Sequence, residues 1–172
     1  NEFCPIDIDK NGRVLTVANV FQKRRVLLGF DSWRHVSKKT GLCDLVGHGD
    51  EGLRESIGVY SVPKLVEIYN KYSVYLNTTI KSAMPRSRAE ALMCGVPVVT
   101  TNNHGIDAYL KNELNCLFAD SKSDMERAVK RVLSDNGLAQ SLSHYGRQAA
   151  IEHFHINKYT ERWHEAFVEA LR

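Results

Sequence analysis

Ser82-Ala-Met-Pro-Arg-Ser-Arg-Ala-Glu90-Ala-Leu-Met-Cys-Gly95-Val-Pro-Val-Val99 passes from a loop into a short helix and then, through a glycine, straight into an apolar strand. Gly95 is a helix-stop signal, because a left-handed residue after the last turn satisfies orphan carbonyls at no steric cost. Val96-Pro97-Val98-Val99-Thr100 has no polar–apolar alternation, as expected of a strand covered on both faces. Pro97 cannot donate to a ladder, which places it near the strand's start. The spacing predicts a helix over Arg88–Cys94 that begins near residues 85–88. Such a helix turns unpaired backbone N–H groups and the positive end of its dipole toward the preceding loop, a favourable seat for a diphosphate.

The same grammar repeats outward in both directions. Arg13–Ala18, Leu42–Val46, Ile57–Tyr60, Val74–Leu76 and Cys116–Phe118 read as further strands. Between them, Val26, Leu27, Phe30, Trp33 and Val36 recur at helical spacing within a helix predicted over Arg25 to about Lys39. Ser61 stands as a helix cap ahead of Pro63, with Leu65, Val66, Ile68 and Tyr69 on the apolar face. Met125–Leu133, Leu138–Glu152 and Ile156–Leu171 follow as helices. Strands alternating with helices give an α/β chain: a single doubly wound, mainly parallel β-sheet with helices on both faces. Ligands of such sheets bind beyond the carboxyl ends of the strands, so the loops after Ala18, Val46, Tyr60, Leu76 and Thr100 hold the candidate residues.

Two readings of Glu90 follow from the residues alone. One turn into its helix, it either accepts hydrogen bonds from the hydroxyls of a ribose or simply complements the helix dipole. Arg86 and Arg88 can bind phosphate, meet an acidic sugar, or remain solvated. The dense basic cluster Lys23-Arg24-Arg25 suits a phosphate-sized anion, or is a basic surface turn.

Glu90-Ala-Leu-Met-Cys-Gly95-Val-Pro-Val-Val99 resembles, almost position for position, the second half of a segment of the retaining GT-B glycosyltransferases of the large group 1 family. That segment runs Glu-Gly-Phe-Gly-Leu-Pro-x-x-Glu-Ala-Met-Ala-Cys-Gly-x-Pro-Val-Val. The resemblance implies a Rossmann-like half of a GT-B fold, with Glu90 on the ribose of a nucleotide-sugar donor and the loop Met84-Pro85-Arg86-Ser87 around its diphosphate. The family's first Glu, near the reaction centre, is Ser82 here, a neutral side chain at the catalytic position. Val14-Leu15-Thr16-Val17-Ala18-Asn19-Val20-Phe21-Gln22-Lys23 resembles the family's strand and loop that carry an Arg and a Lys for the diphosphate. Asn19 replaces the Arg, and Lys23 fits the Lys with Arg24 one residue away. Gly58-Val59-Tyr60 resembles the loop against which the base lies, where Tyr60 either stacks or packs. His104-Gly105 sits where the family turns near the sugar. Tyr159, Trp163 and Phe167, four residues apart in the terminal helix, form a core or interface stripe. The resemblance spans about residues 13–170.

It further implies transfer of a hexose-type sugar from a UDP-, GDP- or ADP-linked donor with retention, without a metal or other cofactor, in a cytoplasmic enzyme that is either free or membrane-peripheral through its missing domain. Residues 1–172 then form one donor-binding domain. Residues 1–12 are a linker or edge segment, 154–172 a terminal helix, and the acceptor-binding amino-terminal domain is missing from this chain. Composition agrees with a soluble module: 172 residues, 43% apolar, 25% charged and a net charge of +3, too mild and too local for a nucleic-acid partner. No apolar run approaches the roughly 20 residues needed to span a bilayer. The first residues carry no signal peptide, and the absence of an initiating Met suggests a cut from something longer. Cys4, Cys43, Cys94 and Cys116 have no metal-like spacing and read as reduced thiols. His153 and His155 would not share a helix face, and Asn77-Thr78-Thr79 follows a buried-looking strand too closely to be a glycosylation site. Two competing readings are a degenerate, non-catalytic module that mediates protein contacts, and an unrelated nucleotide-binding domain such as a sugar-nucleotide epimerase.

Overall fold

The structure, a computed structural model, describes residues 2–82, 85–103 and 108–172. Among these, β1 (Val14–Val17), β2 (Cys43–Val46), β3 (Ser56–Gly58), β4 (Val74–Asn77), β5 (Val98–Thr100) and β6 (Leu117–Phe118) form one sheet in the order β3-β2-β1-β4-β5-β6. Every adjacent pair is parallel. Because successive strand residues point to opposite faces, β1 sends Val14 to one layer and Leu15 to the other. Likewise β4 sends Val74 and Leu76 one way and Tyr75 the other. Both layers are apolar, which is why the strands read as uninterrupted hydrophobic runs.

On one face α3 (Val62–Lys71) and α4 (Arg86–Met93) pack through Val66, Tyr69, Ala91 and Leu92. On the other, Phe30, Trp33 and Val36 meet Met125, Val129 and Val132 of α5 (Lys122–Ser134). The long α6 (Asn136–Phe154) contributes Leu142 to one layer and Ala150 to the other. α7 (Ile156–Ala170) buries no residue, and its Tyr159, Trp163 and Phe167 form an exposed row with ring centroids 6.1 and 5.4 Å apart.

The helix expected over Arg25–Lys39 is two helices, α1 (Arg25–Leu28) and α2 (Phe30–Thr40), broken at Gly29 with φ 69°. Val26 and Leu27, which share the helical spacing of Phe30 and Trp33, are accordingly exposed. A close approach forces the break. A Cβ on Gly29 would lie 2.0 Å from the carbonyl oxygen of Thr78, just after β4. The carbonyls that α1 leaves unpaired are taken up there: Thr78 Oγ1 donates to Leu28 O at 2.8 Å, and the Ile80 and Lys81 amides donate to Leu27 O. Smaller differences are local. β3 ends before Tyr60, β5 begins after Pro97, and Ser61 occupies the cap position of α3 without a side-chain cap bond.

Gly29→Ala places a β-carbon both in a left-handed conformation and against a backbone oxygen. It should cost about 2 kcal/mol or more. Gly41 has φ 68° but open space around it. Gly41→Ala should therefore lose only the conformational part, about 1 kcal/mol. Urea unfolding of the two variants checks the difference.

Candidate functional site

The strand order reverses between β1 and β4. The loops that leave these two strands diverge and open a crevice at the carboxyl edge of the sheet. The cleft there has a volume of about 400 Å³. One wall comes from the end of β1 and its loop, through Ala18, Asn19 and Arg24. The other comes from the loop after β4 and the start of α4, through Ser82, Pro85, Arg86, Ser87 and Glu90. Two further depressions, of about 440 and 470 Å³, lie against α6 at the opposite edge and share Lys10, Gly95, Gln140 and Ser143. They are no smaller, but they lie away from the switch point; the amino end of α6 at Asn136 borders one of them, without the paired strand-end loops that flank the first cleft.

The first wall is held rigidly. Asp50, after the glycine turn of β2, is buried and accepts the backbone N–H groups of Phe21 and Gln22, pinning the turn that carries Arg24. Asn19 Oδ1 accepts the His48 amide at 3.1 Å. Gly47, φ 145°, lets this turn come so close that a Cβ would stand 1.8 Å from Ala18 O. Val20 holds φ 48°, a rare conformation for a β-branched residue. Such strain persists only where neighbouring contacts over-determine the backbone, and its amide does donate to His48 O at 2.8 Å. Sequence reading singled out neither Asp50 nor Val20. An acid directly after Gly47-His48-Gly49 was the available signal.

The second wall is the amino end of α4. Pro85 caps it without a side-chain bond, and no acidic residue stands in its first turn, so the leading amides and the dipole face the cleft uncompensated. Glu90 lines the same cleft, and its Oε2 accepts the Tyr69 hydroxyl at 2.9 Å. Burial raises its carboxyl pKa above the ordinary value, against the opposing effects of the Tyr69 bond and the Arg86 charge. Tyr75 Oη donates to Ser87 Oγ at 2.7 Å, which leaves the serine's own proton for another acceptor. Among the described residues Glu90 makes no ion pair.

Arg86 and Arg88, two residues apart, have opposite environments. Arg86 lies on the cleft. Arg88 is fully buried and is neither solvated nor in the cleft. Its guanidinium donates twice to Tyr109 Oη (2.9 and 2.6 Å), to Asn103 Oδ1 (3.0 Å) and to Thr100 Oγ1 (3.3 Å), 5.6 Å from the Tyr109 ring centroid. Asn103 in turn donates to Thr79 O and Ser82 O. Arg88 thus fixes the backbone under the exposed Ser82 from below.

Of the other residues singled out in the sequence, Lys23 is exposed in the turn and lies outside the cleft lining, which takes Arg24 instead. Gly58, Val59 and Tyr60 stand at the end of β3, two strands from β1, and the Tyr60 hydroxyl is bonded to Ile57 O. Met84, His104 and Gly105 lie outside the described residues. Among the described residues, no group of three His, Cys, Asp or Glu is placed to hold a metal ion.

Arg88→Met should lower stability by about 3 kcal/mol, because Tyr109 Oη and Asn103 Oδ1 lose charged, buried hydrogen bonds. A drop in the urea midpoint at unchanged slope checks it.

Comparison with known proteins agrees with this architecture. The chitobiosyldiphosphodolichol beta-mannosyltransferase of Candida albicans is 32% identical over 88 residues, covering 49% of this chain and 18% of that protein. The pneumococcal O-GlcNAc transferase GtfA, solved with UDP and GlcNAc, superposes with a TM-score of 0.77 at 18% identity, over 99% of this chain and 38% of that one. The carboxy-terminal domain of the group 1 glycosyl transferase LpcC from Francisella tularensis superposes with a TM-score of 0.70 at 12% identity, over 90% of this chain and 96% of that domain. The chain therefore spans well under half the length of the first two and nearly all of an isolated domain. The sequence profile of the family described as glycosyl transferase-like matches residues 31–165, most of the chain, and the chain belongs to that family.

Proposed function

We propose that this chain is the donor-binding domain of a retaining glycosyltransferase and holds a nucleoside diphosphate sugar in the cleft between β1 and α4. The observation that carries this reading is the meeting, in one cleft, of the uncapped amino end of α4, the carboxyl group of Glu90 and the cation Arg24. The helix amides and Arg24 face the diphosphate, and Glu90 accepts the ribose hydroxyls. As the glycosidic bond to phosphate breaks, the departing nucleoside diphosphate gains charge. Fixed cations and N–H dipoles stabilise that state more than the ground state. The solved relative with UDP and GlcNAc supports a nucleotide-linked sugar as donor.

In this reading the acceptor-binding domain belongs to a further part of the protein. The exposed Tyr159-Trp163-Phe167 row of α7 is the surface offered to it, and the isolated chain binds nucleotide without transferring sugar. The cysteines are free thiols, three of them buried, and no helix among the described residues is long and apolar enough to cross a membrane. Both facts suit a cytoplasmic enzyme. The neutral Ser82 on the cleft favours a second reading, a domain that has lost transfer and keeps only binding or protein contacts.

Calorimetric titration of the chain with UDP, GDP and ADP should give a dissociation constant below the millimolar range for one of them, and Glu90→Gln should weaken it about tenfold. No heat with any of the three at millimolar concentration sinks the donor-site reading. With the full-length protein and an α-linked donor, NMR of the product should show an α-linkage; a β-linkage rejects retention, and no product favours the second reading.

Glu90 accepts hydroxyl bonds best when ionised, and burial raises its pKa. Affinity should therefore fall, as pH is lowered, at a higher pH than an ordinary glutamate near 4.3 would give. Glu90→Gln should remove that part of the profile while leaving the nucleotide's own phosphate titration in both.

A further inference from the structure

Most arginines of this chain are engaged. Arg13 is paired with Asp44, Arg25 with Asp31 and Arg34 with Glu55, and Arg88 is enclosed by neutral acceptors. Two that are not engaged line the same cleft from its two walls. Arg24 comes from the turn after β1 and Arg86 from the first residue of α4, and no described side chain bonds or pairs with either guanidinium. Arg86 stands four residues before Glu90, yet the two form no ion pair within 4 Å. An Arg preceding a Glu at this spacing is also the weaker orientation for a helical pair. Both exposed cations therefore line one cleft without a described partner, beside helix amides that add to the positive field. An anion carrying more than one charge is the ligand that such a cleft complements.

We infer that Arg86 is a diphosphate-binding and specificity-determining residue, supplying from α4 the second cation that Asn19 does not supply from the β1 loop. The inference rests on the donor-site reading above and adds to it how the charge is divided. Asn19 is neutral and its Oδ1 is committed to the His48 amide, so the first wall offers a single cleft-lining cation, Arg24. A diphosphate presents two adjacent anionic groups. One guanidinium from each wall bridges them, with each cation able to make bidentate, charge-assisted bonds. Closing the ligand between walls on different elements also makes the second phosphoryl group decisive: a monophosphate can satisfy one wall but not both.

The test is calorimetry on the 172-residue chain. UDP, GDP, ADP, the corresponding nucleoside monophosphates and inorganic pyrophosphate serve as probes. Arg86→Gln, Arg24→Gln, the double variant and the exposed Arg54→Gln are compared with the unsubstituted protein, and circular dichroism confirms that each is folded. Arg86→Gln should weaken the best-bound nucleoside diphosphate and pyrophosphate at least tenfold, and flatten the dependence of affinity on salt. The matching monophosphate should weaken by less than threefold. Arg86→Lys should recover part of the loss, and Arg54→Gln should change nothing. Asn19→Arg in the Arg86→Gln background should restore diphosphate binding, because the cation returns from the opposite wall. Diphosphate affinity that survives Arg86→Gln, or equal loss for mono- and diphosphate, overturns this inference while leaving the donor site standing. Absence of binding by the unsubstituted chain removes both.

Discussion

Parallel strands deliver all their carboxyl ends to one edge of the sheet, and where the winding reverses between β1 and β4 two chains must leave that edge in opposite directions. Everything at the site follows from this geometric obligation. The cleft is the space the two loops cannot both fill, and the amino end of α4 points at it because the helix must return across the sheet to start β5. The apolar layers do not shape the cleft, but they hold the two strands that bound it side by side, with Leu15 and Tyr75 in one layer and Val14 and Leu76 in the other.

Much of this was legible in the chain itself. Gly95 followed by an apolar run announces a helix returning to a buried strand, and the six strands lie close to where uninterrupted β-branched segments predict them. What period and propensity could not reveal was the division of the first helix. Val26 and Leu27 keep helical spacing with Phe30, and only the proximity of Thr78, far along the chain, forces Gly29 out of the helix. The same holds for charge. Arg86 and Arg88 are chemically alike and two residues apart, and which of them is swallowed by the core depends on the placement of Tyr109 and Asn103, which no local pattern records. Lys23 and Arg24 differ by one residue in a turn whose rotation is set by Asp50, again a partner from another loop.

The aromatic row of α7 shows the reverse case. Its spacing marks Tyr159, Trp163 and Phe167 as one face, and the structure confirms that they share it while leaving it bare. Periodicity reports which side chains act together, and it is silent on whether the surface they meet lies within the same chain. A helix that buries nothing within its own domain stands apart from the stability of that domain, whose core closes without it.

The junction at Gly29 joins the two sides of the crevice with three hydrogen bonds, since the loop after β4 donates to the last carbonyls of α1. The loop after β4, as far as Lys81, is thereby fastened to the end of α1 rather than left free beside it. The spacing at this junction is therefore set when the chain folds, and up to Lys81 an entering molecule meets backbone that is already ordered rather than a lid it must first freeze.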